Sequence, residues 1–480
     1  MKNIKYTIFI FLITQNLALL PERNAGPTRS GSSLTDSKLD LINSNLTTVI
    51  SSLSAVAANT AATATNTTSS TGSTATTVTL RNQGDVNHDD PGTAYWTHPL
   101  SITNATAGNT FKFSQNILFK PTNATLTAEN AAIIINKDNV TIDLCGQTLY
   151  FSNSLLTGGL PAISGIHIKA GIKGTQIISS TNNTNYKGAI KDFTEYGIYI
   201  KGTSILTVKQ TSIDNIICAQ NKQGIHVEYA NVASISNSQC IANTHATENV
   251  YGIFMQNINN VIINNFLANE NFSNATTYGI YLENARSCSI KNSSANLNYS
   301  TSTGSSGSAY GIYLTSTGTG TSFSNTIDSC IANENYCTAN VLILSQEAVG
   351  IVLTTASATT ESNSITHCEA KRNVYTGSSS PSPLGYGIKL GNSRKNIIES
   401  CVTSHNSTSG IIDTLAASTS FFTQNFSFFN GITNYNIVFN KELGASGPNS
   451  TPLATIKIHI SNHLALQAAM QGLSNIEIVA

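Results

Sequence analysis

One short template recurs eight times between Gly197 and Asn430, and it limits the fold more than any other feature of the sequence. Its first part is Gly-Ile, usually led by Tyr and continued by x and an aliphatic residue. The copies begin at Gly197, Gly224, Gly252, Gly279, Gly311, Gly350, Gly387 and Gly410. Its second part is an Ile followed at plus three and plus five by small or apolar residues and at plus eight by Asn. It runs from Ile213 to Asn221, Ile235 to Asn243, Ile263 to Asn271, Ile290 to Asn298, Ile327 to Asn335, Ile365 to Asn373 and Ile398 to Asn406. Phe422 to Asn430 is the last copy. A unit this short holds two or three strands and no core of its own, so it becomes stable only by stacking on its neighbours. The distance between successive glycines varies from 23 residues (Gly387 to Gly410) to 39 (Gly311 to Gly350). The variation falls in Ser/Thr/Gly/Asn-rich stretches such as 300–309, 315–324 and 376–383, which read as loops at rung corners. The repeats lack helical periodicity, and they lack the regular hairpin turns of a propeller. The template therefore predicts an all-β fold, a parallel β-helix.

Period-two alternation assigns directions within a rung. Asn at plus eight tolerates left-handed backbone, so it marks a sharp corner. On rungs about 4.8 Å apart, successive amides would bond to one another as a ladder. The residue two after each Gly gives Tyr199, His226, Phe254, Tyr281 and Tyr313 on five successive rungs, with outward parity. The Tyr just before Gly (Tyr196, Tyr251, Tyr278, Tyr310 and Tyr386) has inward parity and reads as core or corner packing.

The flanks differ from the repeats. Lys2 and Lys5 before the apolar run 6–13 read as an export signal, assigned to residues 1–25. Residues 26–80 read as a short amphipathic helix and a Ser/Thr/Ala-rich linker. In the helix, Leu39, Ile42, Leu46, Val49, Leu53 and Val56 keep a/d spacing that would suit homo-oligomerisation. The β-helix is assigned to 81–440, and 441–480 to a capping segment for its open end. Charged residues make up 10% of the chain and the formal net charge is zero. That balance argues against nucleic acid as a partner. No later stretch is long and apolar enough for stable membrane insertion.

The glycine-isoleucine strands, the Asn corner and the leading segment Val140-Thr141-Ile142-Asp143-Leu144-Cys145-Gly146 resemble the pectin-lyase-like right-handed parallel β-helix superfamily. In particular they look like its repeat-containing members, from about Phe111 to Phe439. The resemblance implies a right-handed coil but no single activity, since the superfamily holds polysaccharide lyases, hydrolases, epimerases, phage tailspikes and proteins without known catalysis. Its hydrolases carry an Asn-Thr-Asp motif, a paired Asp and Gly-His-Gly. The repeats here carry none of them, and the pair Asp89-Asp90 lies upstream.

Two columns could carry function. The residue before the corner Asn supplies Glu270, Glu334, Arg372 and His405, the candidate groups for acid-base chemistry on a polysaccharide. The outward column of Tyr199, His226, Phe254, Tyr281 and Tyr313 could stack on successive sugar rings, or serve only as a stabilising ladder. Eight cysteines without a CxxC pair, several at repeat positions otherwise filled by Ser, Ala, Ile or Phe, read as buried free thiols. No metal site and no cofactor is expected. The expected function is a secreted or cell-surface β-helix, non-catalytic, binding a polysaccharide, a cell-surface glycan or another surface partner along its side. The alternatives are a polysaccharide hydrolase or lyase and a passive, tailspike-like stalk.

Overall fold

The structure is a computed structural model that describes residues 77–81, 95–106, 109–126, 129–180, 187–302, 307–339, 346–355, 359–377, 384–414 and 420–437. The export signal, the helix from Leu39 to Val56, most of the linker and the capping segment 441–480 lie outside the described residues.

Two sheets of twelve strands each run the length of the stack. One, here the isoleucine sheet, starts at Thr77–Leu80 and ends at Phe421–Thr423. The other, the glycine sheet, starts at Leu100–Thr103 and ends at Thr433–Ile437. A third side begins as a five-stranded sheet from Ile117–Phe119 to Gln239–Ile241. It continues through single bridges at Leu267, Ser294 and Ile331 into the strands Glu369–Lys371, Val402–Ser404 and Phe426–Phe428. A fourth side joins the middle rungs, from Thr244–His245 to Val374–Gly377. Every strand of the glycine sheet pairs in parallel with the equivalent strand of the next rung, for example Tyr251–Tyr278, Ile253–Ile280 and Phe254–Tyr281. Parallel strands cannot be joined by tight hairpins, so the chain must coil to return to each sheet. The molecule is an all-β, right-handed parallel β-helix, as the template predicts.

The corners obey a five-residue rule that the sequence does not announce. Counting from the repeat Ile as zero, left-handed residues stand at minus three (Asn260, Ser287, Ser324), at plus two (Asn265, Asn292, Ser329) and at plus seven (Glu270, Leu297, Glu334). Inward residues follow the same beat, as Ala285, Cys288, Ile290, Ser293, Ala295, Asn298 and Ser300 show, all buried. From minus five to plus ten each side is thus a three-residue strand plus a two-residue turn, while the glycine sheet keeps longer strands such as Thr277–Glu283.

This corrects the reading of the corner Asn. The left-handed residue is the one before it, and the Asn itself points inward with its amide buried. There the amides form an unbroken ladder: Nδ2 of Asn243 donates to Oδ1 of Asn271 at 2.9 Å. Asn271 donates to Asn298 at 2.8 Å, Asn298 to Asn335 at 2.9 Å, Asn335 to Asn373 at 3.0 Å and Asn373 to Asn406 at 3.0 Å.

The ladder explains the glycines. A Cβ on Gly279 would lie 2.7 Å from the carbonyl of Gly311 and 2.8 Å from Nδ2 of Asn298. Real Cβ atoms are not found that close to either, so this position excludes any side chain. All eight cysteines are free thiols, seven of them buried and Cys145 half-buried. Cys330, Cys368 and Cys401 follow one another on successive rungs, each Sγ turned to a carbonyl two residues back.

Candidate functional site

The outer face of the glycine sheet carries the aromatic residues singled out in the sequence. Register pairs Tyr199 with His226, His226 with Phe254, Phe254 with Tyr281 and Tyr281 with Tyr313. All but His226 are half-buried; His226 is 7% exposed. Phe254 and Tyr281 are parallel within 6° at 5.1 Å between centroids, and Tyr281 and Tyr313 within 6° at 5.3 Å. Rings set this way lean on one another as offset stacks. Much of each face is covered by the next ring, and the rims meet solvent. The stabilising ladder is therefore real, and flat stacking of sugars on open ring faces is not what this column offers.

The column begins one rung earlier than expected, at His167, which stacks on Tyr199 at 4.9 Å. The signal was present in the sequence: Gly165-Ile166-His167-Ile168 is one more copy of the template. His167 is 5% exposed and neither ring nitrogen has a hydrogen-bond partner. Burial, with help from Lys201 and Lys169 and opposed by Glu129, pulls its pKa down to about 4, so the ring is neutral.

The Tyr before each Gly is a correction. Tyr196, Tyr251, Tyr278 and Tyr310 do not point into the main core; they form a second column on the outer face beside the first, in which Tyr310 and Tyr386 are nevertheless buried by packing. Alternation breaks at the glycine because Gly and Ile both face inward, as the buried Ile280 and the crowded Gly279 show. The Tyr then lands on the same face as the residue three positions on. Tyr251 and Tyr278 stack within 3° at 4.9 Å, and Tyr278 meets Tyr281 edge-on at 75°. At the far end Tyr310, Val349, Val352 and Tyr386 make an apolar cluster separate from the main core. A third set, Phe272, Tyr299 and Tyr336, stacks on the fourth side at 5.5 and 5.2 Å. It has no place in the Gly-Ile template, and its spacing follows only from the five-residue rule.

Carboxylates line this face, each fixed by a phenol. Tyr199 donates to Glu228 at 3.3 Å, Tyr281 to Glu283 at 3.0 Å and Tyr310 to Glu347 at 3.0 Å. His226 Nε2 lies 2.9 Å from the same oxygen of Glu228. Gln256 donates to Glu283 at 2.8 Å, and Thr317 also donates to it. Burial, then the neighbouring carboxylates, raise the phenol pKa values, that of Tyr313 to about 12. The hydroxyls stay protonated and act as donors. The His226 contact and the Tyr199 hydroxyl hold Glu228 below the usual carboxylate range, against its partial burial.

The other candidates stand elsewhere. Glu270, Glu334, Arg372 and His405 are the left-handed residues of the plus-seven corner, projecting from a ridge between the third and fourth sides. Arg372 and Glu334 pair at 3.0 Å, and the His405 ring lies 5.6 Å from Phe429. Leu297 occupies the rung between Glu270 and Glu334. The structure does not bring this ridge and the aromatic face into one site. Among the described residues no group of three or more His, Cys, Asp or Glu is placed to hold a metal ion. No helix among them is long and apolar enough to cross a membrane.

Stacked parallel sheets, inward Asn ladder and glycine-lined strands define the class: a right-handed parallel β-helix. Solved structures similar to the chain are of the same kind. The Dettilon tailspike protein matches at 14% identity and TM-score 0.40, over 68% of this chain and 60% of the tailspike. The periplasmic alginate epimerase AlgG matches at 10% and 0.40, over 76% and 84%. The Azotobacter vinelandii mannuronan C-5 epimerase AlgE4 A-module matches at 12% and 0.37, over 72% and 91%. This chain spans 60% of the tailspike's length. No protein-family model and no curated protein matches the sequence.

Proposed function

We propose that the protein is a secreted or cell-surface β-helix that binds a glycan, without catalysis, along the outer face of its glycine sheet. One observation carries this reading: two aromatic columns run side by side over successive rungs, with phenol-carboxylate pairs along their outer edges. Ring edges supply apolar contact for sugar C–H groups, and the fixed hydroxyls and carboxylates supply hydrogen bonds to sugar hydroxyls. The repeat of the rungs suits a repeating ligand better than a compact one.

The test follows from the stacking. Truncation to Ala would break the ladder and confuse folding with binding, so Tyr199, Tyr281 and Tyr310 are changed to Phe, which keeps the rings. The parent protein is expected to retain at least one glycan on a broad array, and the triple variant to lose about ten-fold in affinity, or about 1.4 kcal/mol. An array on which the parent retains nothing would end this reading. The hydrolase or lyase alternative rests on the exposed ridge. New reducing ends or unsaturated products from a polysaccharide panel would revive it.

A further inference from the structure

The outer surface of the stack changes character at its last described rung. In the strand Phe426–Phe428 the middle residue faces inward, where Ser427 accepts the hydroxyl of the buried Thr403 at 2.8 Å. Phe426 and Phe428 therefore project outward. Phe429 follows as the left-handed corner residue. The three side chains belong to residues 56%, 39% and 66% exposed. Phe428 and Phe429 meet edge-on at 5.5 Å, and the His405 ring lies near both, at 6.4 and 5.6 Å. Together they set about 300 Å² of apolar surface against water.

The same columns are largely polar beneath. Register sets Phe426 above Val402 and Glu369, and Phe428 above Ser404 and Lys371. Phe429 continues the corner series of Arg372 and His405. Lys371 pairs with Glu369 at 2.6 Å and Arg372 with Glu334 at 3.0 Å, so two rungs down this surface is ionic. The fold does not require aromatic residues at these places. From Thr414 to Asn440 the chain also carries no Asp, Glu, Lys or Arg.

Direction decides what can cover the patch. A further rung laid on the open end would pair with the end strands, and rings that project sideways would stay in water. Phenylalanine offers a sugar no hydrogen bond, which sets this patch apart from the phenol-lined columns of the glycine sheet. A neutral patch has no like charge to repel its own copy, and a two-fold axis sets its rings against the same rings of a partner.

We propose that this patch joins the molecule side by side to a second copy of itself, through a two-fold contact centred on Phe426, Phe428 and Phe429. A specific contact covers about 800 Å² on each partner. The rings supply its apolar centre, and the polar and ionic residues of the rungs beneath supply its rim.

Sedimentation velocity of the full chain at micromolar concentrations tests this. The expected species is a dimer with twice the mass of one chain. Phe428→Lys/Phe429→Arg gives these columns the residues they already hold at Lys371 and Arg372, and sets like charges across the contact. It should weaken association about a hundred-fold or more, with an unchanged thermal melt by circular dichroism. Should that variant fail to fold, Phe429→Ser serves in its place, since left-handed corners hold serine at Ser329 and Ser400. It should weaken association about ten-fold. A parent that stays monomeric at the highest concentration overturns the proposal. A dimer that the variants leave intact also overturns it, and moves association to another part of the chain such as Leu39 to Val56. A larger assembly that the variants dissolve overturns the two-fold arrangement and leaves the patch as the joining surface.

Discussion

At the scale of single residues, His167 shows what the template implies and where period-two counting misleads. The Gly-Ile-His-Ile copy at 165–168 was open to view, but its register with Tyr199 appears only once the rungs stack. The Tyr before Gly was misassigned for a physical reason. Counting assumes that each residue takes one side in turn, and the glycine, lacking a Cβ, lets two successive residues face the core. His167 also carries a pH dependence. Its folded pKa, about 4, lies below the ordinary value of 6.5, so the unfolded chain takes up the proton first. Stability is full above about pH 6.5 and falls as pH drops toward 4, by about 2 kcal/mol at pH 5. Glu129, Lys169, Lys201 and Tyr199 surround the ring, and Glu129 works against the shift. Urea unfolding at pH 7 and pH 5 should therefore show a smaller loss in His167→Phe than in the parent. Equal losses would mean that the imidazole is not held neutral.

At the scale of elements, the unit is the side of a rung rather than the strand. Isoleucine, small residue and Asn at fixed offsets were legible because they are the inward positions of a five-residue beat. The beat itself was hidden, because the left-handed corners accept Asn, Ser, Glu, Leu, Arg and His alike. Sequence identity at those positions therefore carries no signal, which is why Glu270, Glu334, Arg372 and His405 looked like a chemical column. The Asn ladder makes the opposite case, since each amide is buried and bonded above and below. Asn298→Ala would leave the Nδ2 of Asn271 without its 2.8 Å acceptor and remove the donor to Asn335. The expected cost is about 1–3 kcal/mol in urea unfolding, as for other buried groups left unpaired. A loss under about 0.5 kcal/mol would show that the ladder adds no net stability.

At the scale of the whole molecule, the core is a stack of thin layers in which all eight cysteines are free thiols. Burial holds the thiols of Cys288 and Cys337 up near about 12, far from reactive. Iodoacetamide labelling of the native protein, read by mass spectrometry, should modify at most Cys145, and all eight thiols after unfolding. Several modified thiols in the native state, or a disulfide, would contradict the stack as described.

The five-residue beat has a further consequence for how such a molecule can change over generations. From minus five to plus ten the count admits no insertion without turning every later side chain around. Length is free only where the count lapses, on either edge of the glycine strand, as at 301–308 and 316–321. New residues there join the chain at the ends of the glycine strand and leave the counted positions of the other sides unchanged. A lineage built on this frame can therefore vary what stands beside its glycine strands, one rung at a time, without renegotiating the frame.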